Sequence, residues 1–416
     1  MRVLITLIPG FGHLCPVIPL ALALKDSGHD VAFATSNSIS AYVSDLGLEV
    51  LPTGPEWMES EFCHDLESEE IPGPHRSGLT RFMESEVTPK AYADLILHVN
   101  RWKPSVILSN DFEVTGRTVA EIFGIPFVLI SSGPRLSRKS RQLMHSPLTT
   151  KLRKYVGLGT TGSLDYSLHW LHLCFTPEWY QFLDGQPFDA ADNEFGIRPS
   201  IFDDFDSWRA GDSPLLPVVH NGKPKVLCTL GTVFDKDSRL LKRVIDGVAD
   251  SVGLLKVLSS HSSSALLQSD ASGPVAFVSK GKMSQELQGM DYSISHGGTS
   301  SFTTILLMGL PSLLIPQGAD QVLNAIVCNQ HKLGVSLLNT VLEPKNDGTN
   351  RPLLTDNLVR EAFLRLGGTK EFAVNCQRFR ESCQSLPGND VAVELIEKLV
   401  ATRQPVSKST DFLSRV

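Results

Sequence analysis

A chain of 416 residues, 42% apolar and 20% charged, has the make-up of a globular protein large enough for two or three domains. Its 38 basic and 45 acidic residues leave a net charge of −7, which argues against a general nucleic-acid surface. The seven cysteines (15, 63, 174, 228, 328, 376, 383) are odd in number and contain no Cys-x-x-Cys pair, so no disulfide framework or zinc site is indicated and a reducing, cytoplasmic location is expected.

Residues 2–8 read as a buried parallel strand, because such strands are continuous apolar runs. They are not expected to form a signal peptide: Pro9, Gly10, Gly12 and His13 break the run, and the next one, Leu14 to Leu24, holds two prolines and is too short to span a bilayer. A helix over about 14–27, strands over 30–34 and 105–109, a helix over 115–123 and a strand over 127–131 follow. Alternation of this kind predicts a doubly wound parallel sheet. Residues 53–90 and 133–170 read as long excursions from that sheet, carrying Trp57, Phe62, Phe82 and Trp170 as side chains that either line an apolar pocket or anchor the loops. Residues 206–224, with Gly211, Pro214, Pro217, Gly222 and Pro224, form the best linker. The expected domains are therefore 1–205, the linker 206–224, and 225–402, with a polar tail over 403–416 that packs back or is disordered.

The loop Pro9-Gly10-Phe11-Gly12-His13-Leu14-Cys15-Pro16 admits two readings. As a dinucleotide fingerprint it is incomplete, since Cys15 stands where the third glycine belongs and no acid ends the second strand. This weakens an NAD-dependent oxidoreductase. The other reading makes His13, at a helix start beside a glycine turn, a general base: a neutral imidazole suits that work near pH 7. A base of this kind needs a partner to fix its tautomer. Asp111, just beyond the strand 105–109, is the candidate, with Asn110 its neighbouring competitor.

In the second half, Lys225–Leu230 reads as a strand ending at Gly231-Thr232, followed by a helix over 238–251 and strands over 254–258 and 275–278. Asp291–Ser295 then delivers His296-Gly297-Gly298-Thr299-Ser300-Ser301 to a helix that stops at Gly309. Backbone N–H groups left open at a helix start, with glycines that allow close approach, seat a diphosphate. The strand 310–316 follows, and Asp320-Gln321 sits beyond its carboxyl end, offering acceptors and donors that suit sugar hydroxyls.

This segment resembles the donor-binding signature of the GT-B glycosyltransferases of natural products, bacterial and plant, closely over about 286–325 and in outline over most of the chain. The resemblance implies two Rossmann-like doubly wound domains facing across a cleft, the first for the acceptor and the second for a nucleoside-diphosphate sugar. It implies His296, Gly297, Gly298, Thr299, Ser300 and Thr232 at the diphosphate, Asp320 and Gln321 at the sugar, and Val278 and Met283 at the nucleobase. His13 with Asp111 would be the catalytic pair, and Phe11, Trp57, Phe62, Phe82 and Trp170 would contact the acceptor. Ser300 departs from the pattern, which has glycine there; a serine can cap a helix, so an altered phosphate loop is expected. The implied reaction is inverting transfer of a deoxysugar, from a TDP- or UDP-sugar, to a hydroxyl of a hydrophobic aglycone such as a polyketide. No cofactor or metal is expected, since the single displacement that the resemblance implies needs none. Neither nucleic acid nor a membrane span is expected, and the state is monomer or homodimer. A weak nucleotide-sugar-binding auxiliary protein is the alternative.

Overall fold

The computed structural model describes the chain except residues 59–82, 160–167, 186–190, 203–221, 232–237, 259–273, 279–281, 319, 341–351 and 410–416. Its described residues fall into two compact units, Met1–Phe202 with Ser385–Val416, and Asp203–Gln384. The linker expected over 206–224 lies almost wholly outside the described residues.

The first unit is built on β1 (Arg2–Thr6), β2 (Asp30–Thr35), β3 (Glu49–Pro52), β4 (Val106–Asn110), β5 (Phe127–Ser131), β6 (Leu171–Cys174) and β7 (Glu194–Gly196). They form a seven-stranded sheet in the order β3-β2-β1-β4-β5-β6-β7, parallel throughout. The chain starts at the centre, grows outward to β3, returns beside β1 and grows the other way. The point of reversal lies between β1 and β4, and there the loops after both strands open a crevice at the sheet's carboxyl edge. Helices α1 (Phe11–Leu14), α2 (Ile18–Asp26), α3 (Ser40–Asp45), α4 (Thr88–Trp102), α5 (Thr115–Phe123) and α6 (Arg138–Tyr155) make the crossovers. A core of Leu4, Ala32, Leu95, Ile107, Val119 and Phe127 joins sheet to helices.

Two elements differ from expectation. The single helix expected over 14–27 is two, α1 and α2, since Pro16 cannot donate within a helix and its ring crowds the preceding turn. The excursion expected over 133–170 contains the long helix α6, started by Ser137, whose hydroxyl accepts the Ser140 amide at 3.1 Å. Its inner face carries Arg141 and Arg153, each buried against a carboxylate, Asp111 and Glu121 respectively. That buried charge hid its periodicity.

The second unit repeats the plan with β8 (Lys225–Thr229), β9 (Leu254–Leu258), β10 (Val275–Val278), β11 (Tyr292–Ser295), β12 (Ser312–Leu314) and β13 (Gly334–Ser336), in the order β10-β9-β8-β11-β12-β13, again parallel. Its helices are α7 (Ser238–Val248), α8 (Met283–Glu286), α9 (Thr299–Leu307), α10 (Asp320–Gln330), α11 (Asp356–Gly368) and α12 (Lys370–Gln384). Here the reversal lies between β8 and β11. The last helix, α13 (Asn389–Thr402), which the sequence placed with the second domain, belongs to the first unit and packs on α2 and β6. The tail follows it: Val406 donates to the Trp170 carbonyl at 3.0 Å and Lys408 to that of Asp192 at 2.8 Å.

Candidate functional site

In the first unit, α1 follows the loop after β1 and sets the half-buried His13 at the reversal point. The partner that β4 delivers to it is Asn110, the last residue of that strand, whose side-chain nitrogen lies 2.9 Å from His13 Nδ1. Asn110 Oδ1 accepts the Glu113 amide at 3.2 Å, so the side-chain nitrogen faces the ring and donates to Nδ1. A neutral ring held this way carries its proton on Nε2. Asp111, the acid read from the sequence, turns its carboxylate to the Arg141 guanidinium, and its carbonyl accepts from Arg117 at 2.7 Å. Phe112 meets the His13 ring edge to face, at 6.3 Å between centroids. Glu113 fixes the loop: its carboxylate accepts the amides of Thr115 and Gly116, both at 2.7 Å, at the start of α5, and the Thr6 hydroxyl at 2.6 Å.

Of the expected acceptor residues that are described, Trp170 stands apart from Phe11 and Trp57. Phe11 packs edge to face on Tyr42 at 5.4 Å. Trp57 is buried with Met83 and Val87, and its amide donates to Ser36 Oγ at 3.0 Å, which is the anchoring role. Trp170 immediately precedes β6, and in a parallel sheet that places it at the amino edge, opposite the edge that carries His13. Phe62 and Phe82 lie outside the described residues.

A second polar cluster lies deeper in this unit, where His172, Cys174 and Glu194 bring a nitrogen, a sulfur and an oxygen within 4.8 Å of one another. It is built as a hydrogen-bonded ion-pair network. His172 Nε2 is 2.7 Å from Ser131 Oγ and 3.3 Å from Cys174 Sγ, its Nδ1 is 3.1 Å from Glu194, and Arg135 pairs with that carboxylate. Burial pushes the Cys174 thiol well up. Burial, then the nearby Arg141 charge, lowers the His172 imidazolium, with Glu194 opposing.

In the second unit, β11 ends at Ser295 and presents His296 at the reversal point, against the loop after β8. Two glycines clamp the imidazole. A Cβ on Gly298 would sit 2.5 Å from its Nε2, and one on Gly231, at φ +84°, would sit 2.8 Å away. Burial pushes the imidazolium down, opposed by the Asp320 carboxylate and the Thr229 carbonyl, although that carbonyl makes no well-formed hydrogen bond to Nδ1. Helix α9 starts at Thr299 with Gly298 as its extended cap. The Thr299 amide, expected at the diphosphate, is already engaged: Asp320 Oδ2 accepts it at 2.8 Å and the Thr299 hydroxyl at 2.7 Å. That leaves Gly298, Ser300 and Ser301 to supply the open N–H groups of the first turn. Sequence reasoning missed Asn324, buried one helical turn beyond Asp320, whose side chain donates to the Gly297 carbonyl at 2.8 Å and to Thr299 Oγ1 at 3.0 Å. The spacing from Asp320 to Asn324 was its signal, since residues four apart share a helix face.

Gln321 is buried, and its Oε1 accepts the Gln317 amide at 2.8 Å, so it braces the turn after β12. Val278 is buried at the end of β10, and Met283 packs on a cluster of Leu227, Leu287 and Ile305. Thr232 lies outside the described residues.

Residues 264–346 match the glycosyltransferase family 28 C-terminal domain. The NDP-glycosyltransferase YjiC of Bacillus subtilis is 24% identical over 409 residues, covering 94% of this chain and 95% of its own. An L-demethylnoviosyl transferase of Streptomyces niveus is 32% identical over 144 residues, a third of this chain (33%) and 37% of its own. The crystal structure of the glycosyltransferase SsfS6 of Streptomyces sp. SF2575, complexed with thymidine diphosphate, superposes with a TM-score of 0.68 at 20% identity, covering 96% of this chain and 99% of that one. The family 28 segment and a relative aligned along nearly the whole chain mark this chain as a glycosyltransferase, and its two parallel sheets give it the GT-B fold of the natural-product glycosyltransferases that it resembles.

Proposed function

We propose that the enzyme moves a sugar, a deoxysugar by resemblance, from a thymidine- or uridine-diphosphate donor to a hydroxyl of a hydrophobic aglycone of the polyketide class, with inversion and without a metal. The observation that carries this reading is the second unit's reversal point, where His296, clamped between Gly231 and Gly298, stands at the open amino end of α9. N–H groups and an imidazole aimed there stabilise the charge that grows on a departing diphosphate, as fixed donors do in an oxyanion hole. Asp320, at the start of α10, has a second carboxylate oxygen to offer a sugar hydroxyl, while Gln321 shapes the turn around it.

In the first unit His13 takes the acceptor hydroxyl's proton at Nε2. For this, Nδ1 must carry the ring's other proton, and Asn110 accepts it when its amide turns its oxygen to the ring, giving up the 3.2 Å bond from the Glu113 amide. Such an exchange costs about 1 kcal/mol. Asp111 contributes by holding Arg141 over the end of β4. The amide partner of His13 also supports a second reading, a nucleotide-sugar-binding auxiliary protein with little transfer of its own, since an amide cannot offset the charge of an imidazolium.

The deciding experiment presents a panel of thymidine- and uridine-diphosphate sugars with polyketide aglycones and follows glycoside formation by mass spectrometry and anomeric configuration by NMR. The expected product has the configuration opposite to the donor's. Tight nucleoside-diphosphate binding without turnover across the panel supports the auxiliary reading, and retention of configuration removes the single displacement. His13→Ala is expected to lower turnover by a hundredfold or more, the scale of a general base, with donor affinity kept.

A further inference from the structure

The hydrogen bonds around Thr299 run in one direction. Asn324 Nδ2 donates to Thr299 Oγ1, and that hydroxyl gives its only proton to Asp320 Oδ2, which also accepts the Thr299 amide. Asn324 is 1% exposed and donates as well to the Gly297 carbonyl at 2.8 Å. A peptide unit is planar and trans, so its carbonyl and the next residue's N–H point in opposite directions. Holding the Gly297 carbonyl against Asn324 therefore aims the Gly298 N–H the other way. By the same rule, tying the Thr299 N–H to Asp320 turns the Gly298 carbonyl away from it, and that carbonyl accepts the Phe302 amide at 2.8 Å as the first bond of α9. Two successive peptide planes at the helix start are thus set by side chains of α10.

We propose that Asp320 and Asn324 are positioning residues for the diphosphate seat, acting through Thr299, so that the carboxylate assigned to the sugar also sets affinity for the nucleoside diphosphate. This rests on the reading of the α9 start as that seat. Coulomb's law alone gives the opposite sign, since removing a carboxylate beside a polyanion should tighten binding. The isosteric change Asp320→Asn therefore tells which effect wins by its sign: it leaves the two Thr299 donors only a neutral, weaker oxygen acceptor, which loosens the seat, and it removes the charge, which alone would tighten binding.

The test is calorimetric titration of thymidine diphosphate, with uridine diphosphate in parallel, into the full chain carrying Asp320→Asn, Thr299→Val, Thr299→Ser, Asn324→Asp, or Asp320→Asn with Thr299→Val. Asp320→Asn, Thr299→Val and Asn324→Asp are each expected to weaken the diphosphate about tenfold, the scale of one charge-assisted hydrogen bond. The double variant should be no more than about twofold weaker than the worse single, because both changes break one network. Thr299→Ser, which restores the hydroxyl, should recover most of the affinity that Thr299→Val loses. Thr299→Val is close to isosteric, so with an unchanged melting point it should raise KM for the intact donor about tenfold and leave kcat within about threefold. Unchanged or tighter diphosphate binding by Asp320→Asn overturns the inference, as does additivity in the double variant. If the wild type binds neither diphosphate, the donor-site reading itself fails and this inference falls with it.

Discussion

Asn110 and Asp111 are adjacent in the chain, and the end of a strand decides between them. Asn110 is the last residue of β4 and Asp111 the first of the turn after it, and it is the Asn110 side chain that lies 2.9 Å from His13 Nδ1. The sequence showed that a polar pair lay there. Which member faces the ring depends on the register of β4 against β1, a contact between residues about a hundred positions apart. The assignment can be checked by Asn110→Asp. One carboxylate oxygen would still accept the Glu113 amide while the other accepts Nδ1–H, leaving Nε2 free and stabilising the imidazolium. Turnover should rise severalfold, and because a carboxylate favours the protonated ring, the acidic limb of the kcat/KM profile should move to higher pH. A rate and profile matching the wild type would take Asn110 out of the mechanism.

Among the elements, α5 and α9 start in different ways, and each start has a testable role. Helix α5 lacks a capping side chain at its cap residue and is closed by Glu113, which accepts the amides of Thr115 and Gly116. Glu113→Ala should cost about 1–2 kcal/mol in chemical denaturation, the value of an N-terminal cap, with donor affinity unchanged. Helix α9 is capped at Thr299 by a carboxylate from α10, and its remaining first-turn amides stay open. Gly298→Ala would press a methyl group on the His296 ring. It should weaken thymidine diphosphate binding tenfold or more while the far-ultraviolet circular dichroism stays unchanged; binding like the wild type would mean that the ring has no part in the site. The start of α9 was legible, since glycines before an apolar run mark a helix entry after a strand. The engaged Thr299 amide was not, because its acceptor comes from a different helix.

For the whole molecule, the chain's path governs how it comes apart. It leaves the first unit after Phe202 and returns at Ser385 with α13, whose Ala392, Leu395, Ile396 and Leu399 are fully buried. Truncation after Gln384 is expected to remove the first unit's cooperative melting transition, because burying three such aliphatic side chains alone contributes about 5–9 kcal/mol. A transition that survives unchanged would show α13 to be dispensable. The same unit should carry the acid sensitivity. Burial pushes the Glu194 carboxyl up, but its hydrogen bond from His172 and the charges of His172, Arg135 and Arg141 outweigh this and hold it at about 2, against an ordinary 4.5. A lowered folded value means stabilisation that is complete above the unfolded value and lost as pH falls. Glu194→Gln should therefore destabilise the protein near neutral pH by about 3 kcal/mol or more, since it leaves Arg135 buried without its partner. The gap to the wild type should close as pH falls from 4.5 toward 2. A gap that does not change with pH would separate the network from acid unfolding.

By itself the sequence determined the two parallel sheets and the loops that matter. Alternating apolar runs and helix starts are local signals, and His13 and His296 each stand in a short motif directly after a strand. Local patterns carry no information about which distant residues share a sheet edge or a helix face. The tertiary structure therefore decided that Asn110 lies against His13 Nδ1, that Asp320 and Asn324 hold Thr299, that Trp170 sits at the far edge of its sheet, and that α13 closes the unit in which the chain began. Each of these depends on strand order and register, which arise from packing between segments far apart in the chain.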